Sequence, residues 1–97
     1  MRKLLYFGSV HCPPCKFIRK SFVEPEIAAE VPEQVEFLMC EDNLQLVKQY
    51  HIKHTPTMIL LDENGKEAAR YVGSIHPTGD QIVEWLQGGK HDNDSTY

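Results

Sequence analysis

The chain has 97 residues, 41% of them hydrophobic and 25% charged, with a formal net charge of −4. That is enough for one packed soluble domain, and the acidic balance argues against nucleic acid as the main partner, since phosphate binding needs a basic face. No apolar run approaches the ~20 residues of a membrane-spanning helix, and three cysteines are an odd count that does not suit a fully paired secreted scaffold.

Arg2-Lys3 before Leu4-Leu5-Tyr6-Phe7 superficially looks like the start of a secretory signal, but the apolar run is short and no small-residue cleavage site intervenes before the cysteines. Lys3 to Phe7 is therefore expected to be a strand covered on both faces, and the protein to be cytoplasmic, in a reducing compartment. Gly8 to His11 makes a loop, and a helix follows through Lys16 to Phe22, with Phe17, Ile18 and Phe22 as its buried stripe. Pro25 is expected to end or kink this helix, with another helical turn or two before Pro32.

Gln34 to Cys40 is a nearly continuous apolar run, which predicts a central, doubly covered strand. Asp42 or Asn43 is placed to cap a second helix whose apolar face is Leu44, Leu46, Val47 and Tyr50. A loop over His51 to Thr57 leads to a third strand, Met58 to Leu61. The Asp62-Glu63-Asn64-Gly65 turn then returns Lys66 to Val72 antiparallel as a fourth. After Pro77 comes a last helix carrying Ile82, Val83, Trp85 and Leu86, stopped by Gly88-Gly89. The order is β-α-β-α-β-β-α, in which strand, helix, strand implies a parallel pair with a right-handed crossover. A four-stranded mixed sheet flanked by helices is the expected α/β architecture.

The chemistry centres on Cys12-Pro13-Pro14-Cys15. Two cysteines separated by two residues at a helix start can close a small disulfide ring, and a sulfur beside unpaired helical N–H groups loses its proton more easily than a free thiol. The thiolate is the attacking species in disulfide exchange. Both prolines suit the first helical turn, where a missing N–H costs nothing and a fixed φ stiffens the ring. Cys12, nearer the helix start and the more exposed, is the expected nucleophile and Cys15 the resolving thiol. Lys16, Arg19 and Lys20 add positive charge nearby. The competing reading is half of a metal site, for which Cys40 and five histidines could supply ligands, although none forms a second tightly spaced pair. Cys40 itself is expected to be a buried small hydrophobe.

Together with this element order, the CPPC run and its lysine, the Tyr50-His51-Ile52 segment, Thr55-Pro56-Thr57, the Asn64-Gly65 turn and Val72-Gly73 make the chain resemble the thioredoxin family from about Lys3 to Leu86. The resemblance implies a thioredoxin fold, with residues 1–89 as the domain and 90–97 as a disordered polar tail. It also implies a thiol–disulfide oxidoreductase that reduces protein disulfides, with no cofactor or metal. Its partners would be protein disulfides and an upstream reductase, either a thioredoxin reductase or the glutathione system, with no nucleic acid or membrane and a monomeric state. By the same resemblance Pro56 is cis and sits against the cysteines. Thr55 pairs its backbone with an extended substrate segment, and Gly73 and Pro13 border the same groove.

The chain departs from the family at several positions. The leading strand and helix of full-length thioredoxins have no counterpart, so a minimal version of the fold is expected, closer in size to glutaredoxin. Tyr6 stands where a buried acid is usual, Phe37 where its lysine partner is usual, and Gly8 and His11 where tryptophans are usual. Proton handling then needs a substitute, and His11 and His54 are candidates at the rim of the site. Thr55 before the proline also resembles glutaredoxins and disulfide isomerases, which implies glutathione-dependent reduction as an alternative; a thioredoxin-shaped module that holds a metal or cluster, or serves in interaction, is the alternative from another class.

Overall fold

A computed structural model describes residues 1–89; the expected tail, 90–97, lies outside the described residues. The strands are β1 (Lys3–Gly8), β2 (Val35–Met39), β3 (Thr57–Leu61) and β4 (Glu67–Val72), and the α-helices are α1 (Pro13–Ile18), α2 (Leu44–Gln49) and α3 (Gly79–Leu86). The sheet order is β2-β1-β3-β4. β1 is parallel to β2 and antiparallel to β3, and β3 is antiparallel to β4. This is the mixed four-stranded α/β arrangement that the sequence predicts.

Alternation along β1 and β3 divides the core in two. Leu4, Tyr6, Met58 and Leu60 face a layer built from Ile18, Val23, Ile27 and the α3 residues Ile82, Trp85 and Leu86. Leu5, Phe7, Ile59 and Leu61 face the other way, with Leu46, Val47 and Tyr50 of α2 packed against them. β1 and β3 are thus sheathed on both faces, which is why their sequences are apolar throughout.

Several expectations need correction. β2 is an edge strand rather than a central one, and only Leu38 in it is buried. Of the two outcomes expected at Pro25, an end or a kink, the helix does not take the first. It passes from α1 into a π-helical stretch, Arg19–Ala28, that contains the proline. Within that stretch the Ala29 amide donates to the carbonyl of Glu24, five residues back, at 2.9 Å. A wider turn accommodates a ring that would clash with the carbonyl four residues before it. Phe17 is 70% exposed, because it lies two residues from Cys15 and so on the far side of a helix whose inward residues are Cys15 and Ile18. Leu44 is also exposed. Asn43 precedes α2 without capping it by its side chain, and its amide instead donates to the Met39 carbonyl at 2.8 Å. Cys40 is only half-buried against the second core layer.

The last helix matches expectation and has a full capping box. Thr78 Oγ1 accepts from the Gln81 amide while the Gln81 side chain accepts from Thr78 N. Gly88, at φ +106°, ends it. Arg2, just before β1, ties down this same C-terminal end by donating to the Trp85 and Gly89 carbonyls at 2.7 Å each, with its guanidinium over the Trp85 ring.

Candidate active site

Strand register decides which residues meet. Phe7 lies beside Leu38 of β2 and Thr57 of β3, and Thr57 lies beside Val72 of β4. The residues just beyond this row are the loop after Gly8 that carries Cys12, Pro56 just before Thr57, and Gly73 just after Val72. The sheet therefore delivers three segments that are far apart in sequence to one end of the molecule.

Cys12 is the N-cap of α1, in extended conformation, and Pro13 and Pro14 occupy the first helical positions. Cys12 and Cys15 form a disulfide, with Cα atoms 5.3 Å apart. Cys12 is half-buried and Cys15 is buried, in the order the sequence predicts. The Cys15 amide donates to Cys12 Sγ at 3.3 Å, so a backbone N–H of the first turn is aimed at the outer sulfur. On its other side Cys12 Sγ lies 3.6 Å from the Thr55 carbonyl oxygen.

The Thr55–Pro56 peptide bond is cis, as the resemblance implies. The Pro56 carbonyl accepts from the Gly73 amide at 2.8 Å, which fixes Gly73 against the site. Glycine is required at 73 by its φ of +77°; crowding is not the reason, since an added Cβ meets no atom within 4 Å.

Tyr6, which the resemblance sets where a buried acid is usual, is placed to donate a hydrogen bond rather than to take a proton. Its hydroxyl donates to the Cys15 carbonyl at 2.7 Å, and burial pushes its pKa up to about 12 against a small opposing pull from Arg19. It holds the backbone of Cys15 from below, with its ring edge-on to Phe37. Tyr6→Phe is expected to lower stability at pH 7 by about 1 kcal/mol, the usual contribution of such a bond, as read by urea denaturation. Because the folded-state pKa is raised, stabilisation from this group is complete below pH 10 and is lost as pH rises toward 12. Phenolate absorbance should accordingly lose its latest-titrating component in the variant.

His11 and His54 are exposed, and neither ring has a hydrogen-bond partner among the described residues. A residue that sequence reasoning missed is Glu41, in the turn after β2. Its carboxylate accepts from the Ser9 hydroxyl and from the Val10 amide, the latter at 3.4 Å, pinning the loop that leads to Cys12. The Ser9 bond holds the Glu41 carboxyl below its usual range, with a smaller pull from His11. Burial pushes the Cys40 thiol up, and Glu41 beside it adds to the effect. Among the described residues no group of three or more His, Cys, Asp or Glu side chains is placed to hold a metal ion, and no helix is long and apolar enough to cross a membrane.

Comparison with known proteins agrees with this geometry. Among solved structures, thioredoxin-2 of the malaria parasite superposes with a TM-score of 0.68 at 19% identity, covering 92% of this chain and 84% of its own. A thioredoxin from Thermus thermophilus gives 0.64 at 21% identity, covering 89% and 71%. The C-terminal domain of DsbD from Neisseria meningitidis gives 0.65 at 19% identity, covering 92% and 81%. At these identities the superpositions establish the fold alone. No curated protein matches the sequence. A family model described as a thioredoxin-like domain matches residues 1–90. A fold of this kind holding a bonded cysteine pair at a helix start supports thiol–disulfide oxidoreductase activity. With nearly its whole length matched and the cysteine pair, cis-proline and sheet order in place, the chain belongs to the thioredoxin family.

Proposed function

We propose that this protein reduces protein disulfides by dithiol exchange, with Cys12 as nucleophile and Cys15 as resolving thiol. The observation that carries the reading is the position of Cys12 Sγ. It is the outer sulfur of the pair, faced by the Cys15 amide on one side and 3.6 Å from the Thr55 carbonyl on the other. The amide favours the thiolate once the pair is reduced. The Thr55 backbone offers an extended substrate segment a strand-like partner beside the attacking atom, with Pro56 and Gly73 bordering the groove.

In the reaction the Cys12 thiolate attacks one sulfur of a substrate disulfide, forming a Cys12–substrate disulfide and releasing the other substrate sulfur as a thiolate. Cys15, deprotonated, then attacks Cys12 Sγ, freeing the second substrate thiol and closing the Cys12–Cys15 bond. Two electrons pass from the protein dithiol to the substrate, and an upstream dithiol or glutathione system restores the reduced pair. His11, next to Cys12 in the chain, favours the thiolate when protonated. A reducing compartment such as the cytoplasm suits this direction of electron flow.

The assay is insulin reduction with a limiting dithiol reductant. Catalytic acceleration at micromolar protein is the expected result, and a rate equal to that of the reductant alone contradicts the proposal.

A further inference from the structure

Four of the positions that the resemblance marks as departures lie in one place. Tyr6, Gly8, His11 and Phe37 all line a single pocket of about 590 Å3 between α1 with its π-helical continuation and the free end of β2. This volume lies within the range that takes a drug-sized group. An added Cβ at Gly8 would face Cys15 Cβ at 3.4 Å, Cys15 Sγ at 3.9 Å and Met39 Sδ at 3.9 Å, so the absent side chain leaves the pocket open as far as the resolving cysteine. Cys12 and Pro13 form part of its rim, whereas Thr55, Pro56 and Gly73 take no part in it. The pocket thus flanks the cysteine pair on the side away from the strand-pairing groove.

Its chemistry has two parts. The floor is aromatic and thioether, from Tyr6, Phe37 and Met39. The wall is cationic, from Lys16, Arg19 and Lys20, with Glu24 the one carboxylate lining it. Arg19 answers Glu24 at 2.7 Å and lies over the Phe37 ring. Lys16 and Lys20 have no ion-pair partner among the described residues. On a chain of net charge −4, two unanswered ammonium groups lining a pocket that reaches Cys12 attract anionic groups to it.

Resting on the reductase reading above, we infer that this pocket is a specificity subsite for an acidic polypeptide segment flanking the substrate disulfide. A carboxylate meets Lys16 and Lys20, and a neighbouring apolar side chain lies over Phe37 and Met39. Substrates are then held from both sides of Cys12, by backbone at Thr55 and by charge at the pocket. The exchange step itself is unchanged, with the substrate disulfide reduced to two thiols as the protein dithiol becomes a disulfide.

The test uses pre-reduced protein and two synthetic peptides with the same internal disulfide, one flanked by Asp and Glu and the other by Asn and Gln at the same positions. Single-turnover rate constants are read by mass spectrometry after acid quench. The acidic peptide is expected to react about three- to tenfold faster at low salt, the size of two partly exposed ion pairs, with the ratio shrinking as salt is raised. In a Lys16→Gln/Lys20→Gln variant the ratio should fall to near one, and any general effect on the thiolate cancels in it. Equal rates for the two peptides, or a preference that survives in the variant, overturn the subsite and leave the reductase reading intact. Failure of both peptides to react overturns the reductase reading and the subsite with it.

Discussion

Cys12→Ser is expected to abolish catalysed disulfide reduction, a loss of roughly a thousandfold or more, because the attacking atom itself is removed. Cys15→Ser is expected to behave differently. It keeps the outer sulfur and the amide aimed at it, so the first displacement proceeds, but a hydroxyl cannot complete the second. A mixed disulfide on Cys12 should therefore accumulate, visible as a mass increase equal to the bound substrate and reversed by added dithiol. The unequal exposure of the two sulfurs, Cys12 half-buried and Cys15 buried, is what makes the two variants unequal. If Cys12→Ser retained activity, or if Cys15→Ser captured nothing, the roles assigned to the two sulfurs would be wrong.

The second large effect concerns the strand that carries the motif. Phe7 is fully buried. It lies between Leu38 and Thr57 in the sheet, with its ring centroid 6.1 Å from that of Tyr50. Phe7→Ala removes a large apolar side chain from a layer fixed by three strands and α2, where neighbours collapse only partly into the space. A loss of about 3–5 kcal/mol follows, which for a domain of this size lowers Tm by roughly 15–30 °C. Thermal and urea denaturation of the oxidised protein measure it. A loss under about 1 kcal/mol would show that the layer between the sheet and α2 is not packed as described. Since Gly8 and the cysteine loop follow directly, loosening this strand should also weaken activity ahead of global unfolding.

How far these features could be read from the chain depended on how local their causes are. The cysteine motif, the hairpin at Asn64-Gly65 and the last helix are set by residues within a few positions of one another, and each formed where expected. The cis bond at Pro56 and its closeness to Cys12 came from family resemblance; the loop sequence alone reads as an ordinary turn. The edge position of β2 was not legible. Val35, Phe37, Leu38 and Met39 make the same apolar run that a central strand makes, and only the sheet order reveals that one side of β2 pairs with no other strand among the described residues. The passage of the helix through Pro25 was hidden for a different reason. Proline forbids one hydrogen-bond register, and a shift to the wider one satisfies the backbone without ending the helix.

Within the site, the long-range polar contacts were the least legible. Glu41 and Ser9 are 32 residues apart, and nothing near either one marks it as a partner. The Tyr6 hydroxyl finds a backbone carbonyl, an acceptor that every residue but its neighbours could in principle offer. Tyr6, Gly8, His11 and Phe37 could each be singled out as departures from the family, but that they line one pocket follows only from the pairing of β1 with β2 and the path of α1 beside them.

Exchange through Cys12 requires the outer sulfur to be a thiolate near neutral pH, and the most direct measurement is the pH dependence of iodoacetamide alkylation of the reduced protein, with the modified residue located by peptide mapping. Modification should fall on Cys12 ahead of Cys15 and Cys40, with a midpoint below the ~8.5 of a free thiol. A Cys12 midpoint at or above that value, or faster alkylation of Cys40, would contradict the assignment of Cys12 as nucleophile.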